Sequence, residues 1–394
     1  MTFVIKAAFA LCLLSGAVAA AADEPANMDE AIIAYNDAVT RGTPADKAEA
    51  ARQLSSAVLA NPDRDDAALL AYETGSTLCL YAECNDTAAM IEFASGRQLP
   101  PGGITQDDVA LLAAYADWTR DKTRDSRARL DEALDAKEDA DLSYLSLAAF
   151  HNRFAEDVSD RDWDRAARTA AQAARHFEPF RSVVGQQWSD ARIVSITSAF
   201  NHKPDTEQVI DIVTHKNTMK EMMREIGSNY PDWLYDQYYL SDAWQMAMEA
   251  YFQYDGNRTG SRLSNIEQDQ LRRKLDEIEQ QTADVRVEMA ADTAPASNPS
   301  LPFCKGQFDM RPRLQYPTSA ANKGMFGALI VKFSVEDLKV AETEVLAAVP
   351  QGVFEENALS ALREWQWDVK DGRPGETCRT SQSNLIIPFV FQIQ

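Results

Sequence analysis

Leu329-Ile330-Val331-Lys332-Phe333-Ser334-Val335 sets Leu329, Val331, Phe333 and Val335 in alternation with Ile330, Lys332 and Ser334. That period of two reads as a half-buried strand, entered through Gly324 and Gly327. The turn Glu336-Asp337-Leu338 returns the chain into a second strand, from about Lys339 to Leu346, with Glu342 and Glu344 facing water. Gly352 precedes a helix in which Phe354, Ala358, Leu359, Ala361, Leu362 and Trp365 form one apolar face that covers a sheet. Beyond Trp367, Gly372 and Pro374, the run Leu385-Ile386-Ile387-Pro388-Phe389-Val390-Phe391 makes a last strand, with Leu385, Ile387, Phe389, Phe391 and Ile393 inward. The order strand, strand, helix, strand is α+β.

Pro388 has no N–H to give a ladder, so the last strand belongs at a sheet edge. An open edge invites another strand, and its natural use is addition of a partner's extended peptide. The candidate contact residues are Asn384, Ile386, Pro388 and Val390.

Upstream the pattern changes. From residue 23 to about 289 apolar residues recur at three and four, with Pro and Gly only at breaks, which predicts helix after helix. Ala50, Leu54, Ala57, Pro62 and Ala167, Ala171, Ala174, Pro179 share one spacing, in which small residues let antiparallel helices approach and Pro stops the second. The spacing resembles the second helix of a tetratricopeptide repeat and implies a divergent TPR-like helical-repeat array. An aromatic stretch from Tyr230 through Tyr254 is either helical core or the lining of a ligand groove. Residues 290–302 turn to Ala, Pro, Ser and Asn, a linker composition. The expected organisation is a signal peptide at 1–22, a helical domain at 23–289, a linker at 290–302 and an α+β domain at 303–394.

The 394 residues carry a formal charge of −22, which repels phosphate and argues against nucleic acid and anionic membrane surfaces. The acidity is upstream, because residues 301–394 hold 10 Lys and Arg against 11 Asp and Glu. At the start, Lys6, the apolar Ala7 to Val18 and Ala17-Val18-Ala19 make a cleavable export signal. The apolar stretch falls short of the about 20 residues a membrane span needs, so no stable membrane insertion is expected after cleavage. Cys12 leaves with the signal. The remaining Cys79, Cys84, Cys304 and Cys378 allow three disulfide pairings in an exported chain, and proximity favours Cys79 with Cys84 and Cys304 with Cys378.

Nothing in the chain points to catalysis. His151, His176, His202 and His215 are scattered without metal-ligand spacing, and no nucleophile elbow, phosphate-binding loop or dinucleotide fingerprint occurs. The reading is of a non-enzyme with no cofactor and no metal site.

One resemblance sharpens it. Tyr316-Pro317, Ala320, Gly324, Gly327, Val331, Phe333, Val335, Phe354, Ala358-Leu359, Ala361-Leu362, Trp365, Gly372, Pro374 and Pro388-Phe389-x-Phe391, in this order over residues 312–391, resemble the TonB C-terminal domain family. The resemblance implies a transmembrane-transport setting in the Gram-negative cell envelope, with the edge of the last strand taking a short extended motif from a protein partner such as an outer-membrane transporter. Asp337-Leu338-Lys339 stands where the family has a hairpin Gly, which leaves the turn geometry open. The N-terminal apolar segment is short and carries no His, unlike the membrane anchor the family implies, and a helical region stands where the family has a Pro-rich spacer. The expectation is therefore a periplasmic adaptor that binds proteins, and the alternative is a TonB-like energy transducer whose N-terminal segment is kept as an anchor.

Overall fold

The computed structural model describes residues 27–99, 104–137, 142–227, 230–255, 262–285, 287, 301–310 and 312–392. The expected signal peptide, most of the 290–302 linker and Ile393 lie outside them. The chain divides into two compact units. One holds the described residues of 7–155 with Thr169–Gln187, and the other holds Glu156–Arg168 and Trp188–Gln394.

In the first unit, α1 (Met28–Arg41), α2 (Pro44–Ala60), α3 (Ala67–Tyr81), α4 (Ala88–Ser95), α5 (Gln106–Asp121) and α6 (Arg124–Asp135) follow one another, and α1 packs on α2, α2 on α3 and α5 on α6. Their starts are written in the sequence. Thr43 with Asp46 and Thr105 with Asp108 form reciprocal capping boxes that satisfy free N–H groups of the first turn. The bridge Cys79–Cys84 ties the end of α3 to the turn that follows it. Next come α7 (Tyr144–Asp160), α8 (Trp163–Phe177) and α9 (Arg181–His202). Of the residues that share the tetratricopeptide spacing, Ala50, Leu54 and Ala57 are buried on α2, and on α8 Ala174 is buried with its neighbours Ala166, Ala170 and Ala173 while Ala167 and Ala171 are half-buried.

The second unit combines the latter part of α9, α10 (Thr206–Ile226), α11 (Asp232–Ala250) and α12 (Asn265–Gln280) with a five-stranded antiparallel sheet. Its strands are β1 (Lys305–Asp309), β2 (Gly327–Glu336), β3 (Lys339–Val349), β4 (Gln366–Asp371) and β5 (Gln382–Phe391), in the order β1-β4-β3-β2-β5. A short α13 (Thr318–Asn322) precedes β2, and α14 (Glu355–Glu364) follows β3. The two hairpin strands, the helix and the last strand match the sequence reading, while β1 and β4 are additions to it.

Each face of β2 joins a separate core. Leu329, Val331, Phe333 and Val335 pack with Phe354, Ala358, Leu362, Trp365, Phe389 and Phe391 under α14. On the other face Ala328 and Ile330, with Ala347 and Val349 of β3, join Phe200, Val213, Ala243, Trp244, Ala247 and Tyr251 of the helices. The expectation of a half-buried strand is thus corrected: α11 lies across the second face against β2 and β3, with Ala243 and Ala247 in one core cluster with Ala328 and Ala347. Of the two readings of the aromatic stretch, helical core is the one found for Tyr239, Trp244, Tyr251 and Phe252, which belong to the core of this layer. Phe326, at the entrance of β2, meets the Tyr251 ring at 5.2 Å.

Candidate partner-binding edge

β5 ends the strand order, and its outer side carries no further strand among the described residues. It is held from within. Phe391 stacks on Phe354 with ring centroids 4.3 Å apart, Tyr316 meets both rings edge-on, and Phe389 contacts Trp365 at 5.8 Å. The Trp365 Nε1–H donates to the Pro312 carbonyl at 2.9 Å, which fastens the segment before α13 to the same cluster. Gly327 is required at this crossing, because a Cβ there would meet Phe354 Cε2 at 2.6 Å.

The register places Ile386 opposite Lys332, Pro388 opposite Ile330 and Val390 opposite Ala328, so these three side chains lie on the α11 side of the sheet. They remain open there: Ile386 is 41% exposed, Val390 is 42% exposed, and Pro388 is exposed as well. Asn384, the fourth residue expected at the edge, differs in geometry. Its φ is 55°, and it falls where the register with β2 shifts between Leu385 and Gln382. It therefore bends the start of the strand and does not extend the row of outward backbone groups.

The two edge strands, β1 and β5, and the largely unpaired side of β3 are built differently. β1 is only five residues long, begins and ends on Lys305 and Asp309, and is pressed at Gly306 against Trp367. β3 meets β4 only at Lys339 and Gln366, and the remainder of that side carries Glu342, Glu344 and an Arg363 Nε–H donating to Thr343 Oγ1 at 3.2 Å. Short length and charge are the usual protections of an edge. β5 has neither: its ten residues, Gln382 to Phe391, include no charged side chain.

What sequence reading missed is the clamp at the start of β5. The β2–β3 hairpin closes with Asp337 and Leu338 alone, both left-handed at φ 45° and 65°. Three hydrogen bonds hold it: the Leu338 N–H donates to the Thr380 carbonyl at 3.0 Å, the Trp367 N–H to the Leu338 carbonyl at 2.7 Å, and the Asp337 N–H to the side-chain Oγ of Ser381 at 3.2 Å. The missing glycine was the signal, since a non-glycine turn of this kind needs outside support. Just upstream, Cys378 is bridged to Cys304, both buried, and the Cys304 N–H donates to the Arg379 carbonyl at 3.1 Å. The bridge and the turn together fix the loop from which β5 starts.

Elsewhere in the second unit, Ser189 Oγ lies 2.9 Å from His215 Nε2, a pairing known from nucleophilic catalysis. Here both residues are buried, desolvation pushes the His215 pKa down to about 3, and the Ser189 hydroxyl donates to Gln237 Oε1 at 3.0 Å. The pair lies within a helical core, where His215 Nδ1 has no hydrogen-bond partner among the described residues. Among the described residues no group of three His, Cys, Asp or Glu is placed to hold a metal, and no helix is long and apolar enough to cross a membrane. None of the curated proteins compared with the chain matches it. Residues 312–392, from the strap beneath Trp365 through the open strand β5, match the family of the Gram-negative bacterial TonB protein C-terminal.

Proposed function

We propose that the chain is an exported, periplasmic adaptor that takes the extended peptide of an envelope protein along the outer edge of β5, while its helical units engage a second component. The observation that carries this reading is the contrast between edges. β1 and β3 are shortened, charged or covered, whereas β5 offers a ten-residue uncharged strand with Ile386 and Val390 exposed beside it. An added strand gains backbone hydrogen bonds along such an edge and specificity from alternate side chains. The family match over residues 312–392 adds that this type of domain serves protein interaction in the Gram-negative envelope.

A photo-crosslinking residue at Ile386 or Val390, in cells, is expected to capture a partner protein, and Val390→Pro, which removes an outward N–H, is expected to reduce binding of that partner at least fivefold, the worth of about one hydrogen bond. Capture that is equally strong with Val390→Pro in place would sink strand addition. The alternative, an energy transducer on a retained anchor, is separated by mass spectrometry of the mature N-terminus. A start between Ala20 and Asp23 fits the adaptor, and an intact Met1 or Thr2 fits the transducer.

A further inference from the structure

An uncharged, partly apolar edge poses a problem that goes beyond which partner it binds: two copies of the chain carry the same edge. Identical strands related by a two-fold axis pair antiparallel and extend one sheet into the other. Charge is the common protection, and Gln382 to Phe391 has none. We propose that Pro388 is the residue that keeps β5 from pairing with β5 of a second copy, and so reserves the edge for a strand of different sequence.

The argument rests on the direction of backbone groups. Pro388 lies opposite Ile330 inside the ladder with β2. A proline is accommodated there with its nitrogen turned to the open side, where the absent N–H leaves the ladder to β2 whole. Residues two apart face the same way, so Ile386 and Val390 turn their N–H and C=O outward with it. The outward row thus has donors at 386 and 390, carbonyls at 386, 388 and 390, and a gap in the donors at its centre. Asn384, bent away at φ 55°, does not lengthen the row.

A foreign strand laid on this row loses one hydrogen bond. Self-pairing loses two, because each copy contributes its own Pro388 to every two-fold register that overlaps the segment. When Pro388 faces Pro388, both bonds vanish from the same central ring. When it faces Ile386 or Val390 of the other copy, one bond is lost on each side of the axis. Each missing bond weakens pairing by about fivefold, so self-pairing is weakened by about 30-fold where a partner's strand is weakened by about fivefold. The penalty falls on the competing dimer with its square.

The inference concerns the edge itself and stands whether or not a strand-adding partner exists, so its test is separate from the crosslinking experiment. Sedimentation velocity of the full chain over a concentration series compares wild type with Pro388→Val, and with Pro388→Ala as a second variant of lower strand preference. Circular dichroism checks that both variants fold. The expected result is tighter self-association by about 30-fold in Pro388→Val, where two bonds are restored, and its reversal by adding Ile386→Lys, which charges the edge. Self-association of both variants no stronger than wild type, a wild type that dimerises as tightly as Pro388→Val, or a dimer that Ile386→Lys leaves intact would each overturn the proposal.

Discussion

Leu338 holds φ 65° with a branched side chain attached, a conformation that costs an L-residue roughly 1–2 kcal/mol. It persists because its N–H and C=O are engaged by Thr380 and Trp367, so the turn cannot relax without breaking both contacts. A side chain branched at Cβ makes the left-handed region still less accessible. Leu338→Ile, which keeps the carbon count, is therefore expected to lower stability by about 1 kcal/mol, and Leu338→Asn to be better tolerated despite its polarity. Urea unfolding of the two variants checks the order, and an isoleucine variant as stable as wild type would show that the turn is unstrained.

Among the elements, α12 depends on charge as much as on its apolar stripe. Lys216 of α10 is buried with its Nζ 3.0 Å from Asp242 Oδ1 of α11 and 2.8 Å from Glu279 Oε1 of α12. Burial pulls the Lys216 pKa down, but the two carboxylates outweigh it and leave it above the ordinary lysine value. Glu279 shifts the other way: desolvation raises its pKa, and the Lys216 contact more than offsets this and leaves it low. Next in sequence, Asn217 accepts a hydrogen bond from Thr282 Oγ1 at 2.7 Å and donates to the Ile278 carbonyl, so two consecutive residues of α10 fasten the end of α12. Lys216→Met retains the stem and removes the ammonium. Its two partners are partly hydrated, so the expected loss is about 2 kcal/mol, below the range for a fully buried pair. The sign follows from the shifts. A lowered glutamate pKa stabilises above the unfolded value near 4.5 and stops doing so as pH falls through the folded one, and a raised lysine pKa stabilises below 10.5 and is lost above it. The gap between wild type and Lys216→Met should be full at pH 7 and narrow in acid below the ordinary glutamate range. A gap that widens in acid would contradict the assignment.

For the second unit as a whole, the bridge and the shared core act on the same unfolding event. Cys304 and Cys378 are 74 residues apart, and closing a loop of that length stabilises by up to about 4 kcal/mol through the unfolded state. Cys304 lies before the residues matched to the TonB C-terminal family, so the staple and β1 are added to the matched fold from outside it. Because Ala328, Ile330, Ala347 and Val349 belong to the core of α10 and α11, the sheet and these helices are expected to melt in one transition. Cys304→Ser should lower that transition in oxidising buffer by the equivalent of about 2–4 kcal/mol and match wild type under reducing conditions. Calorimetry in both buffers is the check, and an equal deficit under reduction would mean that the bridge contributes nothing.

Much of this was legible along the chain. Period-two runs at 329–335 and 385–391, a helical face from Phe354 to Trp365 and Pro388 marking an edge are local patterns, set by side-chain alternation and by a ring that lacks a donor. The helices upstream announced themselves through spacing and caps such as Thr43 with Asp46. β1 and β4 did not, because five and six residues of mixed polarity carry too little alternation to stand out, and they form by pairing with each other. The open character of β5 also needed the structure, since it depends on how the other edges are protected.

By itself, the sequence determined the helical region, the α+β order at the C-terminus and the edge nature of its last strand, because each follows from residues within a few positions of one another. Only the tertiary structure decided that the second face of β2 is buried under α11, that the Asp337-Leu338 turn is left-handed and held by Thr380 and Trp367, and that β5 alone among the edges is left uncharged. Those outcomes join residues far apart in the chain, such as Ala243 with Ala328 and Leu338 with Thr380. Alanine suits a buried or an exposed surface equally, and a left-handed leucine is tolerable only where distant groups hold it.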